Sequence, residues 1–125
     1  MLGSQWGLLK EIKVSNHNYI EALARVQADS PWFSGHFPGQ PILPGIALIY
    51  MVEQAIIQDA SVKGERVLLH ALKRVRFTHP VRPGETLSLN ISGEEADEEI
   101  LFYFKVSNKE NIVCSGAVVA KKINK

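Results

Sequence analysis

A chain of 125 residues with a net charge of +1 has the size of one domain around a single core. Its residues are 46% apolar and 22% charged, which excludes a disordered segment or a polyanion-binding tail, so no nucleic acid partner is expected. The lone Cys114 excludes an internal disulfide and a cysteine-based zinc cluster, and fits a reducing, cytoplasmic setting.

The opening MLGSQWGLLKEIK lacks the basic end and long apolar stretch of a secretory signal, because Lys10, Glu11 and Lys13 soon interrupt it. A first strand is expected near 8–14. Over 19–28 the apolar Ile20, Ala22, Ala24, Val26 and Ala28 occupy alternate positions, which predicts a strand with one buried face. From 31 to 44 prolines and glycines prevent regular structure, yet Trp32, Phe33 and Phe37 are too apolar for a loop left in water, so this loop should be packed down.

A helix is predicted over 44–60, with Pro44 in the first helical position, where its missing N–H costs nothing. The stretch IALIYMV is apolar on every side, so the helix should be covered nearly all round. The apolar run stops at Glu53, too soon to span a bilayer, and a soluble protein with no membrane partner is expected.

Strand patterns return at 67–77, 86–92, 100–106 and 112–120. Their connectors are short: Pro83-Gly84-Glu85, the acidic stretch 94–99 and residues 108–111. Consecutive strands joined this way are expected to pair antiparallel. The count is about six strands and one long helix in a single domain over 1–125, an α+β fold with an antiparallel sheet wrapped around the helix.

Two stretches carry a family likeness. GHFPGQPILPG, with Gln54 ten residues after Pro44, and the later VRFTHPVRPGETLSLNI resemble the 3-hydroxyacyl-(acyl carrier protein) dehydratases of the hotdog fold. The resemblance runs from about Tyr19 to the C-terminus. It implies a homodimer, or an oligomer of such dimers, whose two sheets join side by side with acyl tunnels at the interface. It also implies loss of water from a 3-hydroxyacyl thioester to give a trans-2-enoyl thioester, as in fatty acid biosynthesis, on an acyl carrier protein or coenzyme A. No metal and no organic cofactor is implied.

The elimination needs a base, stabilisation of a developing enolate oxygen and an acid for the departing hydroxyl. His36 matches the family's catalytic histidine, and imidazole accepts a proton near neutral pH. Gly45 stands at the helix start, where free N–H groups and the helix dipole favour an oxyanion, and the resemblance makes it the thioester carbonyl's donor. Phe37, Ile46 and Gln54 complete the implied substrate site. Where the family carries an aspartate or glutamate, this chain has Tyr50, which is either a hydroxyl donor at the reacting centre or an aromatic filling the tunnel. Glu53, three residues on and about 60° around the axis, is the nearest helical carboxylate and the other candidate acid.

His17, His70 and His79 lack metal-like spacing and read as structural or exposed, with His70 on the strand face of Arg74 and Arg76. Cys114 reads as a buried thiol. Lys73, Arg74, Arg76 and Arg82 form a candidate surface for an acidic carrier protein. Two alternatives to the dehydratase stay open: a non-catalytic acyl-thioester-binding subunit that has lost the acid, and a hotdog thioesterase.

Overall fold

The computed structural model describes residues 7–16, 19–33 and 42–123. In chain order these form β1 (Leu9–Asn16), β2 (Tyr19–Arg25), a single 3-10 turn (Pro31–Phe33), α1 (Gly45–Val62), β3 (Val67–Phe77), β4 (Thr86–Ala96), β5 (Glu99–Ser107) and β6 (Ile112–Lys122). The strands make one antiparallel sheet in the order β1-β2-β4-β5-β6-β3.

β3 and β4 do not pair, contrary to the expectation that neighbours in sequence are neighbours in the sheet. β3 lies at the far edge beside β6, and β2 takes the place next to β4. The segment 78–85 is an arm rather than a turn, because its backbone bonds go elsewhere. The Leu43 N–H donates to the Val81 carbonyl at 2.8 Å, the Val26 N–H to the Glu85 carbonyl at 2.9 Å, and the Gly84 N–H to the Val26 carbonyl at 2.6 Å. Val81 is fully buried at the middle of this arm. In the vacated slot, Ile20, Ala22 and Ala24 of β2 stand opposite Ile91, Leu89 and Leu87 of β4, and all six are buried against the helix side. Matching apolar faces fix that register, because a slip by one residue would turn every one of them to solvent.

Three boundaries also differ. Pro44 is the N-cap, with φ −66 and ψ 149, and the first helical residue is Gly45. Proline suits the cap as well as the first turn, since neither position has an intrahelical use for its N–H. The strand predicted over 19–28 ends at Arg25, where Val26 turns its backbone to the arm. The acidic stretch is mostly strand: β4 and β5 run on to a tight turn at Asp97-Glu98, with Asp97 in the left-handed region at φ 55, which aspartate tolerates. Its carboxylates stay exposed, and Glu95 meets Lys122 at 3.1 Å across the sheet.

The sheet curls around α1. Ala47, Ala55 and Val52 on the helix and Ala22 and Ala24 on β2 are all fully buried, small residues that let helix and sheet approach closely. The expectation that the helix is covered nearly all round fails on one side. Ile46 (63% exposed) and Ile57 (43%) lie open, with Tyr50, Glu53 and Gln54 half-buried between them. Spacings of three and four residues put all five on one stripe, which a sheet curling around the opposite side does not reach.

β3 is irregular. Register shifts at Leu69/Ala71 and Lys73/Arg76 insert extra residues, and Arg74 adopts φ 54 in the second bulge. Simple alternation therefore breaks down along β3, and His70 meets Glu99, which lies on the outer face of β5 with Tyr103 and Lys105, at 3.2 Å. The bulge closes over Gly116 of β6, where an added Cβ would lie 3.0 Å from the Val75 Cα and 3.0 Å from the Phe104 ring. Cys114 beside it is buried, and burial pushes its thiol up to about 11, as a structural cysteine requires. Gly116→Ala should lower stability by about 1–3 kcal/mol in urea unfolding, because Val75 meets the methyl with backbone rather than a flexible side-chain end.

Candidate functional site

The start of α1 is chemically exposed. Pro44 offers no side-chain hydrogen bond, and no acidic residue stands in the first turn. The N–H groups of Gly45 and Ile46 have no acceptor among the described residues. Among the described residues nothing compensates the positive end of the helix dipole, and such an end suits an oxygen carrying negative charge. It opens on a cavity of about 650 Å³ walled by the helix entry, with Ile42, Pro44 and Leu48, by Phe77 at the end of β3, and by Thr78 and Pro80 of the arm.

Phe77 crowds the backbone of residue 45. Its ring lies over the helix start, so that a Cβ on Gly45 would come within 2.7 Å of the ring's Cζ. Yet the ring is 54% exposed and is held from one side only.

Below the helix start the open stripe begins at Ile46 and continues through Tyr50, Glu53 and Gln54. The Tyr50 ring packs on Trp32, with centroids 5.9 Å apart and planes tilted by 49°. Trp32 is positioned by the 3-10 turn, whose start is fixed by Ser30: its buried hydroxyl oxygen accepts the Trp32 N–H at 3.3 Å. The packed-down character expected for Trp32 and Phe33 is found, since both lie against the core. Burial raises the Glu53 carboxyl above its ordinary value of 4.5, and no hydrogen bond or ion pair reaches it among the described residues. A carboxyl of that kind holds its proton more readily than a solvated one.

Gly45 and Ile46 thus meet at the cavity, and Tyr50, Glu53 and Gln54 on the adjoining stripe. His36 and Phe37 lie outside the described residues, as does His17.

Sequence reasoning missed His79. It lines the same cavity, and its Nδ1 sits 3.2 Å from the Ile112 carbonyl oxygen, which also accepts the Thr78 hydroxyl. A carbonyl can only accept, so Nδ1 is the donor in that contact. A histidine before proline at a strand end carried no sign of this, because the wall it joins comes from the far side of the helix entry.

The basic residues divide. Arg74 and Arg76 line a groove on the outer face of the sheet, of which Lys73 and Arg82 are not part. The Arg82 backbone N–H instead bonds Glu85 in the arm at 2.8 Å. Among the described residues no three His, Cys, Asp or Glu side chains are grouped to hold a metal ion, and no helix is long and apolar enough to cross a membrane.

The family model described as ApeI dehydratase matches residues 11–117. The 3-hydroxyacyl-(acyl-carrier-protein) dehydratase FabZ of Wolbachia sp. subsp. Drosophila simulans (strain wRi) is 36% identical over 74 residues, 56% of this chain and 52% of its own. The protein of that name from Oleidesulfovibrio alaskensis is 38% identical over 77 residues, 57% and 50% of the two chains. The chain spans about half the length of the curated relatives it matches. Among solved structures, the dehydratase heterocomplex ApeI:P from Xenorhabdus doucetiae superimposes with a TM-score of 0.71 at 24% identity, over 92% of this chain and 97% of that one. A hypothetical thioesterase with coenzyme A from Streptococcus pneumoniae TIGR4 does so with 0.74 at 10% identity, over 92% and 89%. The fold expected from the sequence, a hotdog, is the fold these share.

A raised carboxyl has a measurable sign. Glu53 binds its proton more tightly folded than unfolded, so its contribution to stability falls as pH rises through and beyond 4.5. Glu53→Gln should therefore raise the unfolding temperature at pH 7, and the gain should disappear in scans below pH 4.5, where both states are protonated.

Proposed function

The chain belongs to the ApeI-like family, and we propose that it removes water from a 3-hydroxyacyl thioester, held on an acyl carrier protein or coenzyme A, to give a trans-2-enoyl thioester. The observation that carries this reading is the uncapped start of α1 at Gly45, opening on an apolar cavity. Elimination next to a thioester places negative charge on the carbonyl oxygen, which two N–H groups at the positive end of a helix, without an acceptor among the described residues, would stabilise. One such donor is commonly worth about 3–4 kcal/mol of barrier.

In this scheme His36 takes the proton next to the carbonyl. The electron pair moves into the new double bond as the C–O bond breaks, and the hydroxyl leaves with an added proton as water. Glu53 supplies that proton: it is desolvated, raised and on the stripe that runs from the oxyanion donors. Tyr50 stands where relatives of this kind carry the acid, and its ring contact with Trp32 supports a tunnel wall. Ile46, Gln54 and Phe37 are assigned to the acyl chain and its thioester. The chemistry belongs in the cytoplasm, where acyl carriers are loaded.

Two copies would complete the site. β3 is an edge strand with Leu68, Leu72 and Phe77 exposed, and the helix stripe lies open. A second copy laying its own β3 alongside would extend the sheet and cover both. The similar structure from Xenorhabdus doucetiae is a dehydratase heterocomplex, so a second chain other than a copy of this one is the variant of the same idea. Sedimentation equilibrium should give a dimer, and Leu72→Asp should shift it toward monomer; a native monomer would remove the shared tunnel.

One observation favours a second reading. If the Trp32 contact makes Tyr50 purely a filler and Glu53 is not an acid, the chain binds acyl thioesters without turning them over. The discriminating experiment is hydration of a trans-2-enoyl thioester, followed as loss of enoyl absorbance. His36→Ala should abolish turnover, Glu53→Gln should lower kcat by about 10²–10⁴, and Tyr50→Phe should cost less than about tenfold. No turnover in the native protein, with activity appearing in Tyr50→Glu, would establish the binding subunit instead.

A further inference from the structure

The sheet's outer face carries a second cavity, of about 540 Å³, away from the helix and its site. In β5 the buried Phe104 and Val106 point to the helix, and the exposed Tyr103 and Lys105 point outward. The register sets two rows across this face. One runs Glu21, Asn90, Lys105, Ser115, Arg76 and the other Tyr19, Ser92, Tyr103, Ala117, Lys73, with Glu21 and Lys73 outside the groove itself.

Every charged group lining the groove is a cation: Arg74, Arg76 and Lys105. No ion pair is made by any of the three among the described residues. The polar neighbours are donors as well. The Tyr19 hydroxyl donates to the Asn90 Oδ1 at 2.7 Å, which occupies the amide's acceptor and leaves its NH₂ for the groove. Ser92 and Ser115 add hydroxyls, and the Tyr103 ring, 46% exposed, forms a flat apolar wall.

Arg74 is held in this place at a cost. Its φ of 54 is left-handed, disfavoured for arginine, and the bulge that imposes it is accommodated by Gly116. A bulge re-aims a side chain, and here it adds a cation beside Arg76. Lys105 and Arg76 stand two strands apart, so their backbones are about 10 Å from each other, a span that suits a diphosphate group with its counter-charges on both sides.

We propose that this groove binds a phosphate-bearing aromatic ligand of nucleotide size, its phosphates on Arg74, Arg76, Lys105 and the Asn90 amide and its ring on Tyr103. A concave lining within the ordinary size of small-molecule sites favours such a ligand over the flat contact of a protein surface. The site is independent of the dehydratase reading, since it shares no residue with the cavity at the helix start.

The test is titration of the ¹⁵N-labelled full chain with ADP, pyrophosphate and adenosine at 150 mM NaCl. ADP should bind saturably, at least tenfold more tightly than either part alone, with amide shifts confined to residues around 74–76, 90–92, 103–105 and 115. Arg74→Gly relieves the left-handed residue while removing the cation, so it should raise the unfolding temperature and weaken ADP binding by at least tenfold. Equal affinity for pyrophosphate and ADP would overturn the aromatic half of the assignment. Shifts centred on Gly45, or ADP binding unchanged in Arg74→Gly, would overturn it entirely. So would a dimer dissociated by Tyr103→Glu, which would mean that a second copy covers the face.

Discussion

The Leu43 N–H bond to the Val81 carbonyl ties the entry of the helix to the arm that leaves β3, and the site hangs on that tie. Because the arm is bonded to residues 26 and 43 rather than folded into a hairpin, β3 is carried to the far edge of the sheet and β2 fills the gap beside β4. The same arm lays Phe77 over Gly45 and brings His79 and Pro80 to the cavity. A buried backbone pair of this kind is costly to leave unmade, since each partner would lose water without gaining a replacement.

From that arrangement follow two unsatisfied features of the chain, both next to the cavity. The first turn of α1 has N–H donors with no acceptor among the described residues, and the helix stripe from Ile46 to Ile57 has apolar and ionisable groups with incomplete cover. Both are disfavoured in isolation, and both are what an acyl thioester and a second subunit would relieve. Glu53 shows the trade in a single group: burial works against its charged form, and the same burial suits it to deliver a proton. The outer groove repeats the pattern on the opposite face, with a strained Arg74 and three cations that no carboxylate answers among the described residues.

Much of this was legible along the chain. Alternating Ile20, Ala22 and Ala24 marked a half-buried strand, and Leu87, Leu89 and Ile91 marked its eventual partner, because the side-chain period of a strand is local. The GHFPGQPILPG stretch carried the likeness to the dehydratase family, and Cys114 read correctly as buried. What misled was inference from adjacency. Short connectors suggested that β3 pairs with β4, which ignored where the arm's backbone bonds go.

The sequence by itself determined the elements, the α+β composition and the family, since propensity, periodicity and a motif of fixed prolines and glycines are properties of neighbours in the chain. Only the tertiary structure decided that β2 lies beside β4, that Phe77 roofs Gly45, that His79 faces the cavity, that one helix stripe stays open and that Arg74, Arg76 and Lys105 converge on a groove. Those are contacts between residues far apart in the chain. Their energies depend on which buried groups find partners, and no local pattern records that.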